Sequence, residues 1–192
     1  MITRKLKSVC LAMATVMTLT SLGFFGCGAN DEAYQLEQVE PVEKKRKTAE
    51  QLGAAFTINP MEQKVEQALK EKGIDHVQVV IECCGLKSTS EEAFDIVDRQ
   101  GTVILFAVTA VDAAVNLKTY QLFQKELTVK GSFCSPYDMG RAVELINAHR
   151  IDVTTMLGGM EPLEGLVEVL SDPKKRALGK FVILPNGEPD EK

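Results

Sequence analysis

Apolar runs alternate with amphipathic segments along most of this chain. The run 102–108 (TVILFAV) is almost wholly apolar, and the runs 77–82 (VQVVIE) and 180–184 (KFVIL) are nearly so. Two further runs, 55–58 and 127–133, also have strand-like composition. A strand that is apolar on both faces is typical of a parallel sheet covered by helices on both sides. The pattern therefore predicts five strands of such a sheet.

Segments with apolar residues at helical spacing lie between these runs. They predict helices over 43–52, 62–72, a segment beginning near Ser88, 137–149 and about 161–170, with Gly53 and Gly73 as stops. Regular alternation of strand and helix indicates right-handed crossovers. The body of the chain is therefore predicted to be an α/β domain.

The N-terminal segment follows a different pattern. Residues 1–7 (MITRKLK) carry three basic residues and no acid, and residues 8–26 carry no charge. This is the pattern of an export signal, and at roughly 1.5 Å per residue an apolar helix of this length spans a bilayer core of about 30 Å. Gly26 and Cys27 resemble the end of a bacterial lipoprotein signal, with Cys27 as the lipidated residue. The alternatives are an uncleaved membrane anchor and a fused or misassigned segment on a cytoplasmic protein.

Three glycines in this region do not form a nucleotide-binding turn. Gly23, Gly26 and Gly28 have the spacing G-x-x-G-x-G, the reverse of the dinucleotide fingerprint. No strand-like run precedes them and no helical pattern begins at them.

Charge and cysteine content limit the classes of function. The net charge is −5, and removal of residues 1–27 would lower it to −8, which argues against a nucleic-acid partner. Cys83 and Cys84 are adjacent, and adjacent cysteines rarely bridge each other. We interpret them as buried, reduced residues, a usage that conflicts with an exported address.

Seven segments in consistent order resemble one known family. The body is similar to the C-terminal half of the medium-chain, zinc-type alcohol and polyol dehydrogenases. The similar segments are VEPVEKKRKTAEQLGA (39–54), TINP (57–60), DHVQVVIECCG (75–85), GTVILFAV (101–108), KELTVKGSF (125–133), RAVELINAHRIDV (141–153) and LGKFVILP (178–185).

The resemblance implies a Rossmann-type sheet with strand order 3-2-1-4-5-6 and NAD as cofactor. It places Glu40 at the adenosine ribose hydroxyls; the alternative is an acidic residue in a linker. It also places three pairs of residues at strand ends near the cofactor, for which plain strand core is an equal alternative. These pairs are Cys84 and Gly85, Phe106 and Val108, and Ser132 and Phe133. Lys180 would lie near the pyrophosphate, or is simply a surface lysine.

Two parts of the family pattern are missing from the sequence. We find no first strand with its G-x-G-x-x-G turn, so the sheet is predicted to be incomplete and split at its centre. Its open edges would favour oligomers or aggregation, unless the segment before Cys27 or the linker near 34–39 fills the slot. His76 and His149 are the only histidines, and neither has ligand spacing to the cysteines. No zinc site is predicted, although zinc serves the parent family.

The predicted organisation has four parts. Residues 1–27 form a signal or anchor, 28–38 a linker, 39–185 a partial dinucleotide-binding domain and 186–192 a polar tail. The leading hypothesis is a truncated relative of NAD-dependent alcohol or polyol dehydrogenases, inactive alone, with no catalytic residue assigned, weak NAD binding, and an undefined small-molecule substrate. The alternatives are a non-enzymatic, membrane-attached lipoprotein that uses the α/β body for binding, and a gene fusion without a stable product.

Overall fold

The computed structural model describes residues 7–11, 35–75, 77–133 and 138–187. It divides into two compact units, residues 1–136 and residues 137–192. The predicted dinucleotide-binding domain, 39–185, includes residues of both units and stays a prediction.

The described residues of the first unit form a six-stranded sheet and four helices. Its strands are β1 (Lys7–Leu11), β2 (Gln35–Val39), β3 (Phe56–Ile58), β4 (Val77–Glu82), β5 (Val97–Leu105) and β6 (Thr128–Gly131). Its helices are α1 (Glu43–Gln51), α2 (Val65–Glu71), α3 (Lys87–Ile96) and α4 (Thr119–Lys125).

The six strands are all parallel, in the order β3-β2-β1-β4-β5-β6. This is the strand order of a Rossmann-type domain, so the predicted α/β class and parallel sheet are confirmed. The flanking helices follow their predicted positions within a few residues, except α4, which was not predicted.

One detail of the predicted fold is corrected: the central slot of the sheet is filled. Strand β1 lies between β2 and β4, with Leu11 beside Val39 on one side and beside Glu82 on the other. Residues 8–11, expected to begin an apolar helix, are extended because the slot offers backbone hydrogen-bond partners on both sides. A buried strand edge left unpaired would be costly. The rest of the expected helix, and the linker up to residue 34, lie outside the described residues.

Local sequence signals explain where the helices begin and end. Helix α1 begins just after Pro41 and carries a Glu43–Lys47 ion pair of 2.6 Å one turn apart. The segment after it turns at Gly53, whose φ is +103°, and the segment after α2 turns at Gly73 with φ +69°. Glycine adopts these left-handed angles without a steric penalty.

The core lies between the sheet and the helices of the first unit. Val80 and Val103 at the sheet centre have no exposed surface, and Phe94 from α3 is 4% exposed. The buried apolar cluster is completed by Val39, Ile58, Val65, Ala68, Leu69, Ile74, Val77, Ala93 and Val97.

The second unit contains a small parallel sheet of its own. Strand β7 (Leu157–Pro162) pairs with β8 (Lys180–Leu184), and these two strands form the whole of this second sheet. Its helices are α5 (Met139–Asn147), α6 (Leu166–Ser171) and α7 (Pro173–Arg176). The run 180–184 is therefore a strand as predicted, but its partner is β7, a strand that the sequence did not predict.

Across the ranges that the structure describes, no helix combines the length and apolarity needed to cross a membrane.

Candidate functional site

The carboxyl ends of the six parallel strands form one aligned edge. The aligned register row across the sheet is Ile58, Val39, Leu11, Glu82, Leu105 and Gly131. In open α/β sheets, ligands bind in the crevice outside this edge, where the strand order reverses. Here the reversal lies between β1 and β4. Most of the predicted cofactor-binding residues begin within a few residues of this row. They are Glu40 and the segments 84–85, 106–108 and 132–133.

Glu40 follows β2 directly and has no exposed surface. Its backbone N–H donates to the Ile58 carbonyl (3.0 Å), and its Oε1 accepts from the Val42 N–H (2.9 Å). The other carboxylate oxygen, Oε2, is buried and has no hydrogen-bond partner among the described residues. Burial raises the pKa of this carboxyl, against the opposing effects of the Val42 N–H, Lys45 and Arg46. An acceptor without a donor in this position suits a hydroxyl-bearing ligand.

Glu82 ends β4 and is the residue that sequence reasoning missed. It is 1% exposed. Its Oε1 accepts from the Cys84 N–H (2.8 Å), the Gly85 N–H (3.0 Å) and the Thr89 hydroxyl (2.8 Å). The signal was an acidic residue closing an otherwise apolar run, which indicates a buried carboxylate that must find donors.

Gly85 is held against the neighbouring loop. Its φ is +73°, and an added Cβ would lie 2.5 Å from the Val108 carbonyl oxygen. The turn after β4 and the loop after β5 therefore meet at a contact that only glycine allows. Two of the predicted site segments, 84–85 and 106–108, are thus brought together.

We expect Gly85→Ala to lower the free energy of unfolding by about 2–4 kcal/mol, because it adds both left-handed strain and a backbone collision. Gly73→Ala is the matched control: its φ is +69°, but nothing lies within 4 Å of the added Cβ. It should cost only about 1 kcal/mol. Urea titrations of the three proteins by circular dichroism measure the difference. Equal costs would show that the contact with Val108 is not tight.

The remaining edge residues present backbone and exposed side chains. The N–H groups of Phe106 and Ala107 donate to the Glu82 carbonyl at 2.9 and 3.0 Å, and the Ser132 N–H donates to the Leu105 carbonyl at 3.0 Å. Val108 and Phe133 are 92% and 89% exposed. The alternative of plain strand core therefore does not apply to Val108 or Phe133.

The other predictions concern Lys180, Cys27 and the Cys83–Cys84 pair. Lys180 is exposed and begins β8 in the second unit. Cys27, the expected lipidation site, lies outside the described residues. Cys83 and Cys84 are half-buried rather than buried as expected, and neither forms a disulfide.

The described residues do not fit a zinc ion. Within residues 7–11, 35–75, 77–133 and 138–187, no group of three or more His, Cys, Asp or Glu side chains is placed to hold a metal. A catalytic zinc needs three protein ligands and an open position. We therefore derive no chemical step through zinc.

Comparisons with known proteins agree with this geometry. The sequence model of the zinc-binding dehydrogenases matches residues 33–148. D-arabinitol dehydrogenase 1 of Uromyces fabae is 28% identical over 118 residues, which are 62% of this chain and 34% of that protein. The zinc-type alcohol dehydrogenase-like protein YdjJ of Escherichia coli K12 is 26% identical over 152 residues, 77% of this chain and 40% of that protein. The chain thus spans well under half of these relatives' length.

Solved structures share the fold. A protein of Sinorhizobium meliloti 1021 described as a zinc-binding dehydrogenase, bound to NADP, superposes with a TM-score of 0.78 at 24% identity and covers 94% of this chain and 52% of its own. Benzyl alcohol dehydrogenase of Acinetobacter calcoaceticus gives a TM-score of 0.75 at 20% identity, covering 93% and 49%. At such identities the likeness shows the fold alone.

Proposed function

This chain belongs to the zinc-binding dehydrogenase family, and from that premise we propose that its first unit is a weak NAD-binding module without dehydrogenase activity of its own. NAD would supply hydride-transfer chemistry when bound. The observation that carries the proposal is the buried Oε2 of Glu40 at the carboxyl edge of the sheet, which has no hydrogen-bond partner within the described part of the chain.

Glu40 would hold the adenosine half of the cofactor. A carboxylate at the end of the second strand accepts hydrogen bonds from the ribose hydroxyls in NAD-binding Rossmann domains. The same negative charge repels the extra phosphate of NADP. The proposed preference is therefore for NAD, in contrast to the Sinorhizobium protein, whose crystals hold NADP.

Two features predict that this binding is weak. The connection after β1 contains no glycine before Gly23, so the sequence offers no G-x-G-x-x-G turn to cradle the pyrophosphate. Glu40 also has no exposed surface, so a ribose reaches it only after neighbouring groups shift. We therefore propose a dissociation constant for NAD in the millimolar range at best.

We propose no catalysis by this 192-residue chain alone. The parent reaction joins a secondary alcohol and NAD, with zinc polarising the alcohol oxygen. Only two histidines are present in the sequence, and the described residues offer no ligand set for zinc.

Glu40→Gln tests the cofactor site directly. The variant should lose the preference for NAD over NADP, because the amide keeps the size of the side chain but removes its charge. Titration of the ¹⁵N-labelled protein with each nucleotide, followed through amide chemical shifts, detects millimolar binding. Glu43→Gln is the matched control, since Glu43 is an exposed acid three residues away and paired with Lys47.

Two outcomes of that titration and one of calorimetry decide the proposal. Loss of NAD selectivity in Glu40→Gln but not in Glu43→Gln supports the proposal. Unchanged selectivity in Glu40→Gln contradicts the assigned role. Saturable micromolar NAD binding by the wild-type chain in calorimetry would contradict the proposed weakness of the site.

Membrane attachment through Cys27 is the rival proposal. It is supported by the uncharged run that ends at Gly26 and Cys27. Cleavage before Cys27 would remove β1, however, so this proposal and the sheet described above require different forms of the chain.

A further inference from the structure

Glu82 connects three separate pieces of the carboxyl edge. Its carboxylate accepts hydrogen bonds from the Cys84 and Gly85 N–H groups, with distances of 2.8 to 3.1 Å, and from the Thr89 hydroxyl on α3 at 2.8 Å. A buried carboxylate is costly unless donors satisfy it. Here at least three donors do so, and charge-assisted bonds of this kind are stronger than neutral ones.

The backbone of the same residue holds the neighbouring loop. The Glu82 carbonyl accepts from both the Phe106 and Ala107 N–H groups, at 2.9 and 3.0 Å. The Gly85 backbone then meets the Val108 carbonyl so closely that a Cβ would stand 2.5 Å from it. One residue therefore sets the spacing between the turn after β4 and the loop after β5.

The distance between the turn after β4 and the loop after β5 matters for binding, because both lie at the carboxyl edge of the sheet. Strands β2 and β4 lie on opposite sides of β1, so the ends of β2 and β4 lie on opposite sides of the crevice where the strand order reverses. With Glu40 holding the adenosine half at the end of β2, the other half of a dinucleotide extends toward β4 and β5.

We propose that Glu82 is a positioning residue for the nicotinamide half of the cofactor. It acts through the 84–85 turn and the 106–108 loop, whose exposed surface the nicotinamide nucleotide would contact. This inference rests on the proposed function, because it assumes that the adenosine half binds at Glu40.

The test is the substitution Glu82→Gln. The glutamine side chain has one oxygen acceptor and one NH₂ donor, whereas the carboxylate has two oxygen acceptors. One oxygen that accepts from a backbone N–H is therefore replaced by an NH₂ group that cannot accept. The initial slope of amide shift against ligand concentration is measured for AMP, nicotinamide mononucleotide and NAD. We expect Glu82→Gln to reduce the slopes for nicotinamide mononucleotide and NAD at least about fivefold, the factor for one lost hydrogen bond, and to leave AMP unchanged.

Two further variants keep the test decisive. Glu91 is partly exposed and lies on α3, the helix that carries Thr89. Glu91→Gln should change none of the three slopes. Thr89→Val removes a single donor to the Glu82 carboxylate and keeps its charge. It should reduce the same two slopes by a smaller factor, and it replaces Glu82→Gln if that variant does not fold.

The results separate this inference from the function on which it rests. If wild-type protein binds neither AMP nor NAD, the proposed function fails and this inference fails with it. If wild-type protein binds both, and the Glu82 or Thr89 variants weaken all three ligands equally or none of them, Glu82 has only a structural role and the proposed function still stands.

Discussion

A chain that begins at Cys27 should lose the cooperative unfolding transition of the 192-residue chain. This form lacks β1, which pairs with β2 and β4 at the centre of the sheet. Its removal breaks two strand interfaces at once and leaves two buried edges without partners. Domains of this size have total stabilities of about 5–15 kcal/mol, so we expect the loss to leave no folded first unit. Urea titration by circular dichroism and hydrogen exchange measure it.

Hydrogen exchange gives the sharper result because it reports each strand separately. In the 192-residue chain, amides in 37–39, 77–82 and 102–105 should share strong protection. In the chain that begins at Cys27, protection at 37–39 and 77–82 should be lost. Val9→Pro in the 192-residue chain should have a similar effect, since proline removes a ladder hydrogen bond from a central strand. Equal protection with and without residues 1–26 would contradict the assignment of β1.

The presence or absence of β1 also bears on the localisation of the protein. Signal cleavage before Cys27 removes residues 7–11, so a lipidated, processed molecule does not contain β1. Intact-mass measurement of the folded protein distinguishes the two forms. Retention of residues 7–11 supports the six-stranded sheet, whereas a folded protein that starts at an acylated Cys27 supports membrane attachment.

Much of the first unit could be predicted because its strands carry strong local signals. Strand β4 has the predicted bounds, and α1 and α2 end just before Gly53 and Gly73 as expected. Helix α4 was missed because its seven residues are too short for a clear helical period, and none of them is fully buried. Strand β7 was missed because Gly158, Gly159 and Pro162 are poor strand formers.

Strand β1 could not be assigned from local sequence. The first residues of the uncharged run 8–26 are compatible with the start of a signal helix and with a buried central strand alike. What decides between them is the slot between β2 and β4, a property of the assembled sheet. The sequence did suggest that the segment before Cys27 could fill this slot, but nothing local favoured it.

The candidate site, like the fold, could be predicted only in part from the sequence. Its location followed from the strand ends, and the resemblance placed Glu40 correctly at the end of β2. The role of Glu82 did not follow, because its partners are backbone N–H groups whose directions depend on the fold. The resemblance placed Lys180 near the pyrophosphate; Lys180 begins β8 of the second unit, and that role stays a prediction.

Phe94→Ala should lower the free energy of unfolding by about 3–5 kcal/mol, the usual cost of removing a buried phenylalanine. Phe94 is 4% exposed and packs from α3 into the main core. Urea titration followed by circular dichroism measures the loss. Phe123→Ala is the matched control, because Phe123 is 78% exposed on α4 and its removal should cost less than about 1 kcal/mol.

The loss of Phe94 should also disturb the proposed cofactor site. Thr89, which donates to the Glu82 carboxylate, lies on α3 five residues before Phe94. A cavity beneath this helix weakens the support of the 84–85 turn, so the amide signals of Gly85 and Phe106 should shift in Phe94→Ala and stay in place in Phe123→Ala. Equal stability losses in the two variants would mean that α3 is not packed on the sheet as described. The hydrogen bonds of Glu82 would then lack the rigid support on which its positioning role depends.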